Sequence, residues 1–248
     1  MPEYLTFAMS ASMGAMGAVT VGSRRPTWSR PARSAILGLL GACLGADRSD
    51  EDAHQALQRD YGVAVLVVRE GSLLSDFHTV ATPEGAKPGD YPTRAAELRA
   101  PKVGTMITHR EYRTDPLMLV AVWARGAARW SIQDLAAQML EPVFAPYWGR
   151  RSCPFSLPFG PQVKATDTPV AVLIDRRLHG PEVQFSFAPN SRVPSPYVAM
   201  DEEDALAAGL QPSRVEERRD NLLNRGKWLF GMRREAILYV PTLASQSL

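Results

Sequence analysis

The clearest helical pattern in the chain runs from Arg33 to Gly45, where Ile36, Leu37, Leu39, Leu40 and Leu44 recur at the spacing of one helix face. Ser34 suits an N-cap, because its hydroxyl can accept a backbone N–H of the first turn. Gly38 and Gly41 cost a helix interior roughly 1 kcal/mol each against Ala. That cost predicts an offset, most simply close packing on a sheet, and Gly45 predicts the C-terminal stop. A run of different character precedes this helix. Gly22 to Arg33 is basic and reads as structureless, with Arg24, Arg25, Arg30 and Arg33, Trp28 among them, and no acid. A helix start below four arginines suits an anion. A buried helix behind a solvated basic loop fits the spacing equally well.

The remaining pattern fills in around this helix. Glu3–Met9 reads as a first strand, and Ser10–Gly22 is ambiguous between loop and strand. Asp47–Asp60 reads as a second, exposed helix. Val63–Val68 is a continuous apolar, mostly β-branched run, the mark of a buried central strand. Leu73–Ala81 and Met106–Thr114 read as strands that pair in a projecting hairpin. The Pro- and Gly-rich Thr82–Lys102 forms its tip, and a segment of that length without structure is usually functional or disordered. Leu117–Trp123 is another strand, and Ser131 caps a helix to about Leu140. Val170–Ile174 reads as the strand that completes a βαββαβ unit.

The fold expected is therefore α+β: a ferredoxin-like (RRM-type) palm over residues 1–175, with an inserted β-hairpin thumb at about 73–114. A small β-rich region follows over 176–248. Glu182–Phe187, Tyr197–Met200 and Glu235–Val240 read there as strands, and Asp201–Asp204 opens a short acidic helix.

Composition narrows the function by exclusion. Across 248 residues the net charge is only +2, so any nucleic-acid contact must rest on local patches. Cys43 lies in an apolar helix and Cys153 in a basic loop, which suggests reduced thiols and a cytoplasmic protein, one disulfide being the alternative. No run is long and apolar enough to span a membrane, and the start lacks the basic n-region of a signal peptide. No zinc spacing, nucleophile elbow or phosphate-cradling glycine motif occurs, so neither a metal nor another cofactor is expected.

Three segments combine arginines with aromatic or polar side chains suited to single-stranded RNA. They are the run to Ser34 already described, His109–Arg113 and Tyr147–Pro158. The second offers His109, Arg110, Tyr112 and Arg113. The third offers Trp148, Arg150, Arg151 and Ser152, with Trp148 readable either as a stacking surface or as an anchor. Arg233 and Arg234 close a basic run from Arg214, read mostly as a solvated face with some prospect of lining a groove. Metal-independent RNA cleavage needs a general base and a cation together. In an alternating strand His109, Glu111 and Arg113 share one face and Arg110 and Tyr112 the other, so these groups do not converge.

Arg33–Gly45, Asp76–Val80 with Arg110–Tyr112, and Gly149-Arg-Arg-Ser-Cys-Pro154 together resemble the CasD family of the type I-E CRISPR Cascade complex. The resemblance covers residues 1–175 well and the remainder weakly. It implies a RAMP-type palm and a thumb. It further implies a non-catalytic subunit that holds the 5′ handle of CRISPR RNA and ends the helical backbone of the complex. The implied partners are a CasC-type backbone subunit and a CasA-type large subunit, with target DNA reached only through the complex. In related type I-C systems the equivalent protein is the repeat endonuclease, which makes that activity the alternative. One departure stands out: Met16-Gly17 occupies the place where Trp-Gly commonly follows the first strand.

Overall fold

The computed structural model describes residues 1–20, 22–185 and 196–240. In chain order the elements are β1 (Glu3–Ser10), β2 (Met13–Gly14), β3 (Arg24–Arg25), α1 (Arg33–Cys43), α2 (Glu51–Asp60) and β4 (Tyr61–Arg69). Next come β5 (Ser72–Pro83), α3 (Arg94–Leu98), β6 (Val103–Thr114), β7 (Leu117–Ala124), α4 (Ile132–Leu140) and β8 (Gln162–Ala165). The chain continues through α5 (Pro169–His179), a 3-10 turn (Pro181–Phe185), β9 (Tyr197–Asp201), α6 (Glu202–Ala207), β10 (Arg214–Asn224) and β11 (Leu229–Tyr239).

A seven-stranded sheet ordered β10-β11-β9-β4-β7-β1-β8 forms the body. Its neighbours are antiparallel throughout. The strands after residue 175 extend this sheet, since β9 pairs with β4. Helices cover both faces. On one, Ile36 and Leu40 of α1, Leu57 of α2 and Leu135 of α4 pack with Phe7, Val63, Val65 and Val120. On the other, Val172 and Leu173 of α5 and Ala205 of α6 pack with Ala64, Leu66, Leu119 and Ala121. Two covered faces explain why β4 is apolar at successive positions although its neighbours are antiparallel. The helix at 47–60 is less exposed than expected, because Ala53, His54, Ala56 and Leu57 turn inward.

The hairpin pairs as the pattern implies, from Ser72↔Thr114 out to Pro83↔Val103 with an unbroken register. Its apolar side chains are largely exposed, among them Leu73, Phe77, Met106 and Ile107. The tip is not wholly irregular, because Thr93 caps the short α3 by accepting from the Ala96 N–H.

Three expectations need correction. Val170–Ile174 is helical, not extended. The Thr168 side chain accepts from the Ala171 N–H, Pro169 opens the first turn, and these start signals override the β-branched run. The strand beside β1 is instead β8, a short polar edge segment pairing Glu3↔Ala165 through Thr6↔Gln162. Glu182–Phe187 is likewise no strand. Residues 181–185 form the 3-10 turn, and Ser186 and Phe187 lie outside the described residues. Glu182 is held there by the fully buried Arg176, whose Nε and Nη2 donate to it at 2.9 and 2.8 Å. Finally, Arg24–Arg25 is extended, running parallel to β6 with Arg24 opposite His109 and Arg25 opposite Arg110.

Candidate nucleic-acid interface

The α1 face turned away from the sheet is made of small residues. Ser34, Ala35, Gly38 and Ala42 floor a groove of about 1270 Å³. One wall is the loop at Tyr147–Arg151, and the other is the hairpin turn between β10 and β11 with Arg225, Trp228 and Phe230. Five arginines line it: Arg48, Arg150, Arg151, Arg219 and Arg225. The two acids in the lining are already engaged. Asp47 accepts from Ser49, and Asp220 binds Arg233. A nearly neutral chain thus concentrates net positive charge here, with Asp47 the one lining acid not paired to a cation, beside exposed aromatic side chains.

The helix start contradicts the expected cap. The N-cap position is Ala32, without a side-chain bond, and Ser34 lies inside the helix, where it lines the groove. The anion at this helix start is the protein's own: Asp220 accepts the Arg33 N–H at 3.0 Å. Gly45 ends the helix as expected, with φ +76°. Gly41 is accounted for by α2, not by a sheet, since a Cβ there would sit 3.3 Å from Leu57 Cδ1.

Three of the arginines expected near RNA are buried in an ion-pair network beneath the groove. Arg30 pairs with Glu216 at 2.5 Å and with Glu235. Arg233 meets Asp201, Asp220 and Glu235, each at 2.7 Å. Arg33 pairs with Asp201 at 3.1 Å and donates to Gln58 O and Tyr61 O. Burial pushes the Arg33 guanidinium down to about 10, Asp201 only partly offsetting it. Arg218 joins through Glu235, and Arg125 through Asp201 and Asp204. Arg218 also lies 4.0 Å from the centre of the Trp28 ring. Trp28 is half-buried and lines the groove. Arg234 is exposed and pairs with Glu202 at 2.9 Å.

The loop at 147–151 depends on one glycine. Gly149 has φ +77°, and a Cβ there would sit 1.7 Å from the Ala15 carbonyl oxygen. Trp148 is buried, packs over Gly14 and stacks on Phe155 at 5.7 Å. It is the anchor, with Arg151 exposed beside it and Arg150 half-buried and donating to Glu111 O at 3.3 Å. Arg150 lies 4.5 Å from the centre of the Tyr112 ring, which is itself buried, while Arg151 and Ser152 are exposed. Cys153, beneath the loop, and Cys43 are both free and buried. Gly149→Ala should therefore destabilise the protein by several kcal/mol, since backbone cannot yield as a flexible side chain can. A melting curve indistinguishable from wild type would show that the loop relaxes freely.

Met16, where the family pattern commonly has Trp, is buried, and its N–H donates to Thr27 Oγ1 at 2.8 Å. At the base of the hairpin Arg24 pairs with Glu111 at 2.5 Å, and Arg25, His109 and Arg110 are exposed beside one another. Glu111 is held below the usual carboxylate range chiefly by Arg24. His109 packs edge-on to Phe77 at 5.5 Å, across the strand from Tyr112. Arg113 donates to Gly71 O at 3.3 Å. No group of side chains suited to hold a metal occurs among the described residues. No helix among them is long and apolar enough to cross a membrane.

Sequence reasoning missed one groove residue, Arg48, and undervalued four, Arg219, Arg225, Trp228 and Phe230. Arg48 carried no usable signal, and Arg219 was noticed only as part of the basic run from Arg214. Arg225, Trp228 and Phe230 sat in the basic run read as a solvated face, although Arg-Gly-Lys-Trp between two extended segments is a turn signal.

A sheet covered on both faces, a long hairpin inserted after its central strand and an arginine-lined groove define a protein class that comparison with known proteins identifies. The profile of the family described as CRISPR-associated protein (Cas_Cas5) matches residues 4–234, and the chain belongs to that family. Among curated proteins, the CRISPR system Cascade subunit CasD of Escherichia coli (strain K12) is 36% identical over 182 residues, covering 70% of this chain and 77% of that protein. Among solved structures, a chain of a CRISPR RNA-guided surveillance complex superposes with a TM-score of 0.64 at 23% identity, covering 95% of this chain and 89% of that one. A second, titled as a crystal structure of a Cas protein, superposes with a TM-score of 0.56 at 21% identity, over 95% of both chains.

Proposed function

We propose that this protein is a non-catalytic subunit of a Cascade-type surveillance complex that binds the 5′ handle of CRISPR RNA along the groove. The observation that carries this reading is the groove itself: a small-residue floor, five arginines and exposed aromatic side chains. Arginine's flat, forked guanidinium suits both phosphate and base. The similarity to CasD supports Cascade membership, and the neighbours proposed within it are a CasC-type backbone subunit and a CasA-type large subunit. The palm reads as ferredoxin-like, because β8-β1-β7-β4 is the antiparallel order that a βαββαβ unit adopts. The hairpin, with exposed apolar side chains, is the element suited to dock on the adjacent backbone subunit.

Replacing Arg150 and Arg151 by Ala should lower affinity for handle RNA about tenfold or more, with a shallower salt dependence, since each lost phosphate contact removes a slope of about 0.7. The melting temperature should barely change. An unfolded variant whose surviving fraction binds normally would make the loop structural. Purified protein incubated with labelled repeat RNA in EDTA should leave it intact. Discrete cleavage lost in Tyr112→Phe or His109→Ala would favour the endoribonuclease instead.

A further inference from the structure

Two guanidiniums of this protein share one indole. Arg48, after α1, lies 5.3 Å from the centre of the Trp228 ring, and Arg225 lies 4.2 Å from it. Trp228 is itself unusual. It is a non-glycine residue at φ +55°, it stands 55% exposed, and Phe230 braces it edge-on at 5.4 Å. The turn that presents it is fixed from below, because Glu51 accepts the N–H groups of Arg225 and Gly226 at 3.0 and 3.3 Å.

This arrangement gathers positive charge without neutralising it. Among the described residues neither Arg48 nor Arg225 forms an ion pair, and the buried Nε of Arg225 has no hydrogen-bond partner. Burial first, and then the Arg48 charge, pushes the Arg225 guanidinium below its ordinary value. A single anion between the two would supply the missing acceptor and relieve the repulsion. All three residues line the groove proposed to hold RNA, and a strand lying in it would bring that anion. The indole is still 55% exposed, so the part of it that the two guanidiniums leave uncovered is a stacking platform for a base.

We propose that Arg48, Arg225 and Trp228 form a clamp for one phosphodiester of single-stranded RNA, with the adjoining base stacked on Trp228. The clamp rests on the RNA-binding reading of the groove and gives it a specific contact on the hairpin side.

The test uses the full chain and a fluorescein-labelled repeat RNA titrated over a range of salt. The double variant Arg48→Gln with Arg225→Gln should lower the slope of log K against log salt by about 0.7, one phosphate's worth, and neither single variant should exceed that. Trp228→Ala should weaken binding roughly tenfold with the slope unchanged. A slope loss of about 1.4 in the double variant, two phosphates' worth, would mean two separate phosphates and overturn the shared clamp. Wild-type binding and slope in all variants would also overturn it, leaving the groove reading intact if Arg150→Ala with Arg151→Ala still loses affinity. No RNA binding by the wild-type protein would overturn both. Variants that bind RNA normally yet fail to enter the complex would assign these residues to an acidic protein surface and overturn the clamp.

Discussion

Gly38→Leu should weaken RNA binding at least about tenfold, which is roughly 1.4 kcal/mol, while the protein melts at or above the wild-type temperature. Opposite effects on binding and stability follow from the place of Gly38. It is exposed on the groove floor, and a Cβ added there meets nothing within 4 Å. A leucine therefore places its Cβ without displacing any atom, and the rest of its side chain extends from this exposed position into the groove. It also removes a helix penalty of up to about 1 kcal/mol, worth roughly 2–4 °C in a chain of this size. The same side chain projects into the space an RNA strand would occupy. Gly41, one turn on, is the internal contrast: its Cβ would press on Leu57, so enlarging it should cost stability. Titration of labelled RNA alongside a melting curve reads both effects. Unchanged affinity in a folded Gly38→Leu protein would mean that RNA does not cross this floor.

Glu235→Ala should be the most damaging single truncation, lowering stability by about 3–5 kcal/mol. Glu235 is buried and accepts from three arginines, Arg30, Arg218 and Arg233. Removing it leaves positive charges facing one another across the joint between the 24–33 segment, β10 and β11. The melting temperature should fall by roughly 6–20 °C on the 2–4 °C per kcal/mol scale. The network should also show in acid. Burial alone would raise the Asp220 carboxyl, but hydrogen bonds from Arg233 and the charges of Arg233 and Arg218 hold it below its ordinary value of 3.8. Glu216 is held low by Arg30 in the same way, against its own burial. A carboxylate with a depressed folded-state pKa stabilises the fold above its unfolded value. That contribution is lost as pH falls through the lower, folded value. Burial raises the Asp204 carboxyl in the same network and works the other way, so stability should fall below about pH 4 but less steeply than Asp220 and Glu216 alone would give. Urea titrations between neutral and acid pH check this, and a flat profile would mean that the network contributes no net stability.

Much of the body was legible because its signals were local. The Val63–Val68 run, the Ser131 cap and the paired flanks of the hairpin each announce themselves within a short window. The misreadings came where a nearby signal outweighed periodicity or a distant residue intervened. Thr168 and Pro169 start a helix on a sequence that reads as a strand. Asp220 caps a helix whose sequence offers Ser34. The candidate site divides along the same line. Gly149-Arg150-Arg151 could be found in sequence because the glycine and its arginines are neighbours. Arg30, Arg33 and Arg233 look the same in sequence as groove arginines. Only the fold brings Asp201, Asp220 and Glu235 to them and draws them inward. Arg48 and Trp228 lie far apart in the chain, so no spacing rule joins them.

Sequencing the RNA that travels with the assembled complex tests the central claim most directly. The account predicts CRISPR RNA with a uniform 5′ end, which should be lost or become ragged when Arg150 and Arg151 are replaced by Ala. A complex that assembles with this protein but carries no RNA, or RNA with the same uniform 5′ end in the variant, would contradict it.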